Sequence, residues 1–538
     1  MPWGRGLPQS QAPAAHLGAH IGGFVASADN ALAQDFGGIF KRLDAGKASP
    51  AKPDGSRNIP HSRAPARETP AFEALEPRSS YAPTGFSFHS RKSFMTPARR
   101  TLIQGAAALG ALSAASSAVI AQPFLFSPTT ELMPKGKKRR VLILGGGWGG
   151  LAAARHLRED APDLEVVLLE KNPIFWSCPL SNKWLVDVVD TSFLMHSYTA
   201  AAERMGYTFV QTEITDIDRD KKRVHTAQGF VDYDWLVVSA GIRVTYEPWF
   251  GNDRAAAAYT QKHFSSAYVP SAEHLALKQK IKSFKGGTIV MTLPPPPHRC
   301  PPSPYERACL MANHFQKNKI PAKILILDPK PRMTPIGGGY RMAFDELYHD
   351  TITYVPNAGV KELDPYNKVV KTMAGDFKFD DAIFMGHHQA ADLVWKMGSI
   401  GKTPDGKPSN WAAVHPEFYN LKDDPSVFVI GDSVGAVSPQ FGHYPKSGHV
   451  ANRMGRSVST YIAQQSKNQA MKPLIIDNLC FMLVNTEPLE AISVKFDYKM
   501  GPEGHILQTV TDDNFRRPAL WQEDLQWYGS MVKDFTGG

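Results

Sequence analysis

Gly145, Gly147 and Gly150 stand at the spacing G-x-G-x-x-G within VLILGGGWGGLAAARHL. Four apolar residues end at Gly145 and a helix begins around Gly149, so the glycines occupy a tight turn between a strand and a helix. The first permits the turn, the second lets the backbone approach a pyrophosphate, and the third lets helix and strand pack closely. The helix N-terminus adds free N–H groups and a partial positive charge. Alone, such a loop says little. A second strand, EVVLLE, closes on Glu170, twenty residues past Gly150, where a carboxylate accepts hydrogen bonds from both hydroxyls of a ribose. Together they predict a bound dinucleotide.

A chain that wraps a flavin dinucleotide must return to it later, and two segments are suited to do so. YDWLVVSAGI (233–242) is a strand entering a small-residue turn at Gly241, and VFVIGD (427–432) is a strand ending in Asp432, a carboxylate able to bind the polyol of the cofactor. PKSGHVANRMG (445–455) follows as a loop opening a helix, which would bring Lys446, Ser447 and backbone donors to the flavin ring. Each segment alone also reads as an ordinary buried strand or turn. In this order and spacing they predict FAD.

The middle of the chain carries sulfur. The strand GTIVMTL is followed by PPPPHRCPPSPYERA, where a second nucleotide loop would otherwise stand. Proline has no N–H to offer a phosphate and cannot form a permissive glycine turn, so NAD(P)H is not expected as a reductant. The loop is stiff and presents Cys300, which suits sulfur chemistry beside a flavin, since positioning the reacting atom is much of the catalytic task. Glu306 opens the next helix. It is a candidate for moving protons and equally reads as a carboxylate stabilised by the helix dipole.

These segments resemble a known family, the flavoprotein subunit of flavocytochrome c sulfide dehydrogenase, a relative of the sulfide:quinone oxidoreductases. The resemblance runs from about Arg139 to the C-terminus and is carried by GGGWGG, FWSCPLSN (175–182), RCPPSPYERA (299–308), VIGD, PKSG and the closing LQWYGSMVKDFTG. It implies an α/β fold with two dinucleotide-binding-like, Rossmann-type domains of the glutathione-reductase type and a small C-terminal α+β domain. It implies a thioether between Cys178 and the flavin, although Cys178 also reads as a small buried residue beside the cofactor. The family's redox disulfide joins the cysteine matching Cys300 to a second one, whose place in GDSVGA is taken by Val434. Cys309 is expected on a helix leading away, and Cys480 as a packed core residue. His387 and His388 stand where the family tends to have prolines, and an insertion adds His443 and Tyr444. These four are new acid–base groups if they face the flavin, and otherwise lie outside the site. With no haem motif in the chain, the resemblance implies a separate c-type cytochrome as electron acceptor and a small sulfur substrate. A dehydrogenase for a non-sulfide substrate, a sulfide:quinone oxidoreductase-like enzyme and a non-catalytic electron-transfer partner remain alternatives.

The elements that must position these residues divide the chain at 139–248 (first part of an FAD domain), 249–376 (central domain), 377–460 (second FAD part) and 461–538 (C-terminal domain). With 538 residues and 43% hydrophobic content there is room for several cores. Four cysteines without a C-x-x-C pattern support neither a disulfide framework nor a metal site. Ahead of this, 1–94 is rich in Pro, Ala, Gly, Ser and Arg and is expected to be disordered, an extension upstream of a true start at Met95. Residues 95–121 have the layout of a twin-arginine export signal: Arg99-Arg100, an apolar small-residue run from Leu102 to Ile120, and a cleavage position after Ala121. Uncleaved, the same run would be a membrane anchor. The signal predicts a periplasmic protein. It also disposes of the overall charge of +9, because 1–121 holds 13 of the 60 Lys and Arg but only 7 of the 51 Asp and Glu, leaving +3 for the remainder. No nucleic-acid motif accompanies that charge, and nucleic acid is excluded as a partner.

Overall fold

The computed structural model describes residues 129–537. The leader and the segment before it lie outside the described residues.

Four strands open the fold: β1 (Arg140–Leu144), β2 (Glu165–Glu170), β3 (Thr208–Gln211) and β4 (Trp235–Val238). They are parallel, in the order β4-β1-β2-β3. Every residue of β1 and β4 is buried, as expected of a parallel sheet covered on both faces. Helix α1 (Trp148–Asp160) follows β1 directly, and its small residues Gly149 to Ala154 are all buried. Farther on, α2 (Ser181–Leu185) carries the residues just after Cys178.

The chain leaves through β5 (Ile242–Thr245) into a second parallel sheet of β6 (Gly287–Thr292), β7 (Ala322–Leu327), β8 (Ile352–Val355) and β9 (Asp381–Phe384), ordered β8-β7-β6-β9. Between β6 and β7 runs α3 (Ser303–Lys317), preceded by the proline loop. Pairing of β9 with β6 carries this sheet to Phe384, beyond the position 376 expected from sequence, because β9 completes the sheet's edge before the chain turns. The chain returns through β10 (His387–Ala390), antiparallel to β5, so the two crossing segments are hydrogen-bonded side by side. Strand β11 (Val427–Val429) then adds beside β4 and completes a five-stranded sheet.

Helix α4 (Gly448–Ser466) packs against α1, and the two backbones meet at glycine: a Cβ on Gly455 would lie 2.3 Å from the Gly149 carbonyl oxygen. This helix also runs past residue 460, since its apolar face continues through Ile462. Three antiparallel strands close the fold, β12 (Asn478–Thr486), β13 (Leu489–Met500) and β14 (Ile506–Arg517), followed by α5 (Pro518–Thr536). Helix α5 returns to the first domain, where Trp527 stacks on Trp148 at 6.0 Å and 10° and Phe535 meets it edge-on at 5.2 Å. No helix among the described residues is long and apolar enough to cross a membrane.

Candidate active site

The glycine loop has the geometry that its spacing requires. Gly145 has φ +96°, and a Cβ there would come within 2.6 Å of the Ser239 carbonyl oxygen. A Cβ on Gly150 would lie 2.0 Å from the Gly145 oxygen, so only glycine allows α1 to start this close to β1. Gly147 faces open space and begins α1 with no side chain capping the first turn. Those N–H groups are free for an anion. Glu170 ends β2 beside the loop, where Oε2 accepts from Gly146 N–H at 3.0 Å and Oε1 from Asn172 N at 2.9 Å. Gly241, at φ +74°, also borders open space. Its carbonyl accepts from the Ser433 hydroxyl, which ties this turn to the turn carrying Asp432.

Free helix N–H groups, close-approach glycines and a carboxylate that accepts from the ribose hydroxyls are the groups a flavin dinucleotide needs, and FAD fits the residues present. Asp432 is more constrained than expected. Its Oδ2 pairs with Arg299 Nε at 3.0 Å, leaving Oδ1 without a partner among the described residues. Arg299, not foreseen as a site residue, is therefore the link between the proline loop and the cofactor turn.

Lys446 lines both cavities described below, and its Nζ donates to the carbonyls of Asp432 (2.8 Å) and Val434 (2.9 Å) and lies 3.7 Å from the centre of the Trp411 ring. Burial pushes its pKa down to about 7, with Asp432 opposing that fall. The backbone of Lys446 also reaches the site, since its carbonyl accepts from Cys300 N–H at 2.8 Å. Ser447 caps α4 through Val450 N and donates to Asn478 Oδ1 at 2.8 Å.

On the other side lie the thiols. Cys178, Cys300 and Cys480 line one cavity of about 90 Å³, and a wider one of about 930 Å³ shares Cys300 and Cys480 with it. Cys480, expected as a packed core residue, does pack against the core as a half-buried side chain of β12, and it also lines both cavities. Cys309 is fully buried on α3, as its position predicts. Burial raises the Cys178 thiol and pushes Cys300 up to about 12 and Cys480 up to about 11. All three are therefore protonated at neutral pH.

Glu306 is not a free base. Lys183 Nζ lies 2.6 Å from its Oε1, Leu483 N–H donates to the same oxygen at 2.9 Å, and Asn182 Nδ2 donates to Oε2 at 2.8 Å. Lys183 also reaches Asp524 of α5 at 3.1 Å. Burial works against that ammonium, but Asp524 and Glu306 outweigh it and hold its pKa above the ordinary lysine value. Asp524 itself is pushed up to about 6 by burial, against the pull of Lys183. This triad of α2, α3 and α5 was invisible in the sequence, because its members meet only when three distant helices pack. Among the new histidines and tyrosine, His443 lines the wider cavity and is pushed down to about 4 by burial and Lys446. Tyr444 lines the same cavity and packs on Tyr498, and His387 packs on Trp249. His388 is buried and accepts from Arg299 N–H at 3.0 Å, which holds the loop and not a substrate.

Residues 274–383 match the family model described as the central part of the sulfide dehydrogenase (flavocytochrome c) flavoprotein chain, and residues 139–289 match that of the pyridine nucleotide-disulphide oxidoreductases. Over this central stretch the chain is similar to the flavoprotein of flavocytochrome c sulfide dehydrogenase. It is 22% identical to the sulfide-quinone reductase of Aquifex aeolicus over 347 residues, covering 62% of this chain and 78% of that protein. A type II NADH:quinone oxidoreductase of Staphylococcus saprophyticus is 26% identical over 244 residues, covering 42% of this chain and 56% of its own length. In structure the fold matches the sulfide:quinone oxidoreductase of Aquifex aeolicus with a TM-score of 0.59 at 19% identity, across 74% of this chain and 92% of that one. These matches agree with the motif-bearing residues, and the protein is an FAD-dependent oxidoreductase.

Proposed function

We propose that the protein is a sulfide dehydrogenase flavoprotein that oxidises sulfide or a related sulfur compound and passes the electrons to a c-type cytochrome. The observation that carries this reading is the meeting of Cys178 and Cys300, more than a hundred residues apart, on one small cavity beside the cofactor turn. When bound, FAD supplies a two-electron acceptor. The chain's own residues do the rest. The free N–H groups of α1 and the carboxylates of Glu170 and Asp432 would hold the dinucleotide, and Cys178 is the residue that would form a thioether with it. The proline loop presents Cys300, fixed by its N–H bond to Lys446 and by the Arg299–Asp432 pair. The Lys183–Glu306–Asp524 triad holds α2, α3 and α5 together beside the thiol cavity.

NADH is not the reductant in this reading. Arg299 and Cys300 give their N–H groups to His388 and Lys446, and the neighbouring prolines have none to give, which makes this loop a poor phosphate site. Export through the leader at 95–121 would place the enzyme in the periplasm, where a c-type cytochrome is the fitting acceptor. A quinone acceptor is the second reading, favoured by the quinone reductases among the relatives. Steady-state assay with sulfide separates them: reduction of a c-type cytochrome with no reduction of a water-soluble quinone supports the first, and the reverse pattern supports the second. Peptide mapping of the denatured protein tests the thioether, which requires a Cys178 peptide heavier by one flavin.

A further inference from the structure

The place of the missing second cysteine, Val434, is not at the thiol cavity. Val434 is buried, bridges to Ala412, and is not among the residues lining either cavity. Cys480 stands there instead, and the structure shows how it is brought in. Cys300 and Cys480 are anchored on two consecutive residues. Cys300 N–H donates to the Lys446 carbonyl at 2.8 Å; Ser447 Oγ donates to Asn478 Oδ1 at 2.8 Å, and Asn478 Nδ2 lies 3.5 Å from Cys480 Sγ. The loop after β6 and the start of β12 are thus pinned to the same short segment ahead of α4, and both cysteines line both cavities. After burial itself, the Cys480 thiol is the neighbour that most opposes ionisation of Cys300. Cys309 is sealed in the core of α3 and is no competitor.

We propose that Cys300 and Cys480 form a redox-active dithiol/disulfide pair that bridges the central loop and the C-terminal sheet. Its oxidation joins the two Sγ atoms and releases two protons and two electrons to a two-electron acceptor of the flavin class. Hydrosulfide attack on the oxidised pair breaks that S–S bond and forms a new one, leaving a persulfide on one cysteine and a thiolate on the other. The substrate and acceptor rest on the sulfide reading above; the bond between the two cysteines does not.

The test uses the full-length holoprotein. It is oxidised with diamide, free thiols are blocked with N-ethylmaleimide, and the protein is digested without reductant and mapped by mass spectrometry. The expected result is one linked peptide pair containing Cys300 and Cys480, lost on treatment with dithiothreitol. In Cys480→Ser the linked pair disappears, whereas in Cys309→Ser it persists. Separate alkylation of Cys300 and Cys480 after oxidation, or linkage of either to Cys178 or Cys309, overturns the proposal. The mapping of the unsubstituted protein is decisive even if a variant fails to fold. A linked pair in a protein whose flavin ignores sulfide would keep the disulfide and refute the sulfide reading; bleaching by sulfide without a linked pair would do the opposite.

Discussion

Lys183 is the residue on which the site's electrostatics turn. It lies between Glu306 and Asp524, all three buried, so removing it leaves two carboxylates without a counter-ion. Lys183→Met should destabilise the protein by about 3–5 kcal/mol, read from urea denaturation at pH 7.5. A change below about 1 kcal/mol would mean that the triad does not hold the helices together. Lys446 gives a pH signature instead. Folded, it loses its proton at about 7; unfolded, it keeps it to its ordinary value of 10.5. Across that window the unfolded state binds more protons, so this residue makes stability rise with pH, by up to about 1.4 kcal/mol per unit. Below the folded value the contribution levels off. The stability of the parent relative to Lys446→Met should therefore rise between pH 7 and 10, and a constant difference would contradict the lowered pKa of the buried amine. Residues with a local signature, the three glycines, Glu170 and Cys300, were legible in the sequence. Arg299, Lys183 and Asp524 were not, because an ion pair across domains leaves no spacing to read.

At the scale of elements, β1, α1 and β2 could be read directly, since an apolar run, a glycine turn and a terminal carboxylate follow one another within thirty residues or so. The end of the central sheet was harder to place: β9 belongs to it only through pairing with β6, which no local pattern encodes. The long strands β12 to β14 were not located, and with them the place of Cys480 on the cavity was missed, because β14 is largely exposed and lacks a clean apolar alternation. The strand–turn–helix unit makes a sharp prediction. Gly147→Val meets open space, so it should keep the melting temperature of the apoprotein and abolish flavin retention, measured as the flavin-to-protein absorbance ratio. Gly150→Ala meets the Gly145 carbonyl and should cost about 1–3 kcal/mol in stability as well. Equal behaviour of the two variants would contradict the distinct roles of the glycines.

Over the whole molecule, function depends on the C-terminal part returning to the first domain. Helix α5 supplies Asp524 to the triad and stacks Trp527 on Trp148, and β12 supplies Cys480. Truncation after Arg517 should therefore yield protein that is insoluble or retains no flavin; a soluble, flavin-bearing product would show the helix to be dispensable. The central claim is that sulfide delivers electrons to a flavin that NADH does not reach. Anaerobic titration of the holoprotein, followed at the flavin absorbance maximum, tests it most directly. Sulfide should bleach the flavin while NADH leaves it oxidised; bleaching by NADH, or a flavin that dithionite reduces and sulfide does not, would contradict the account.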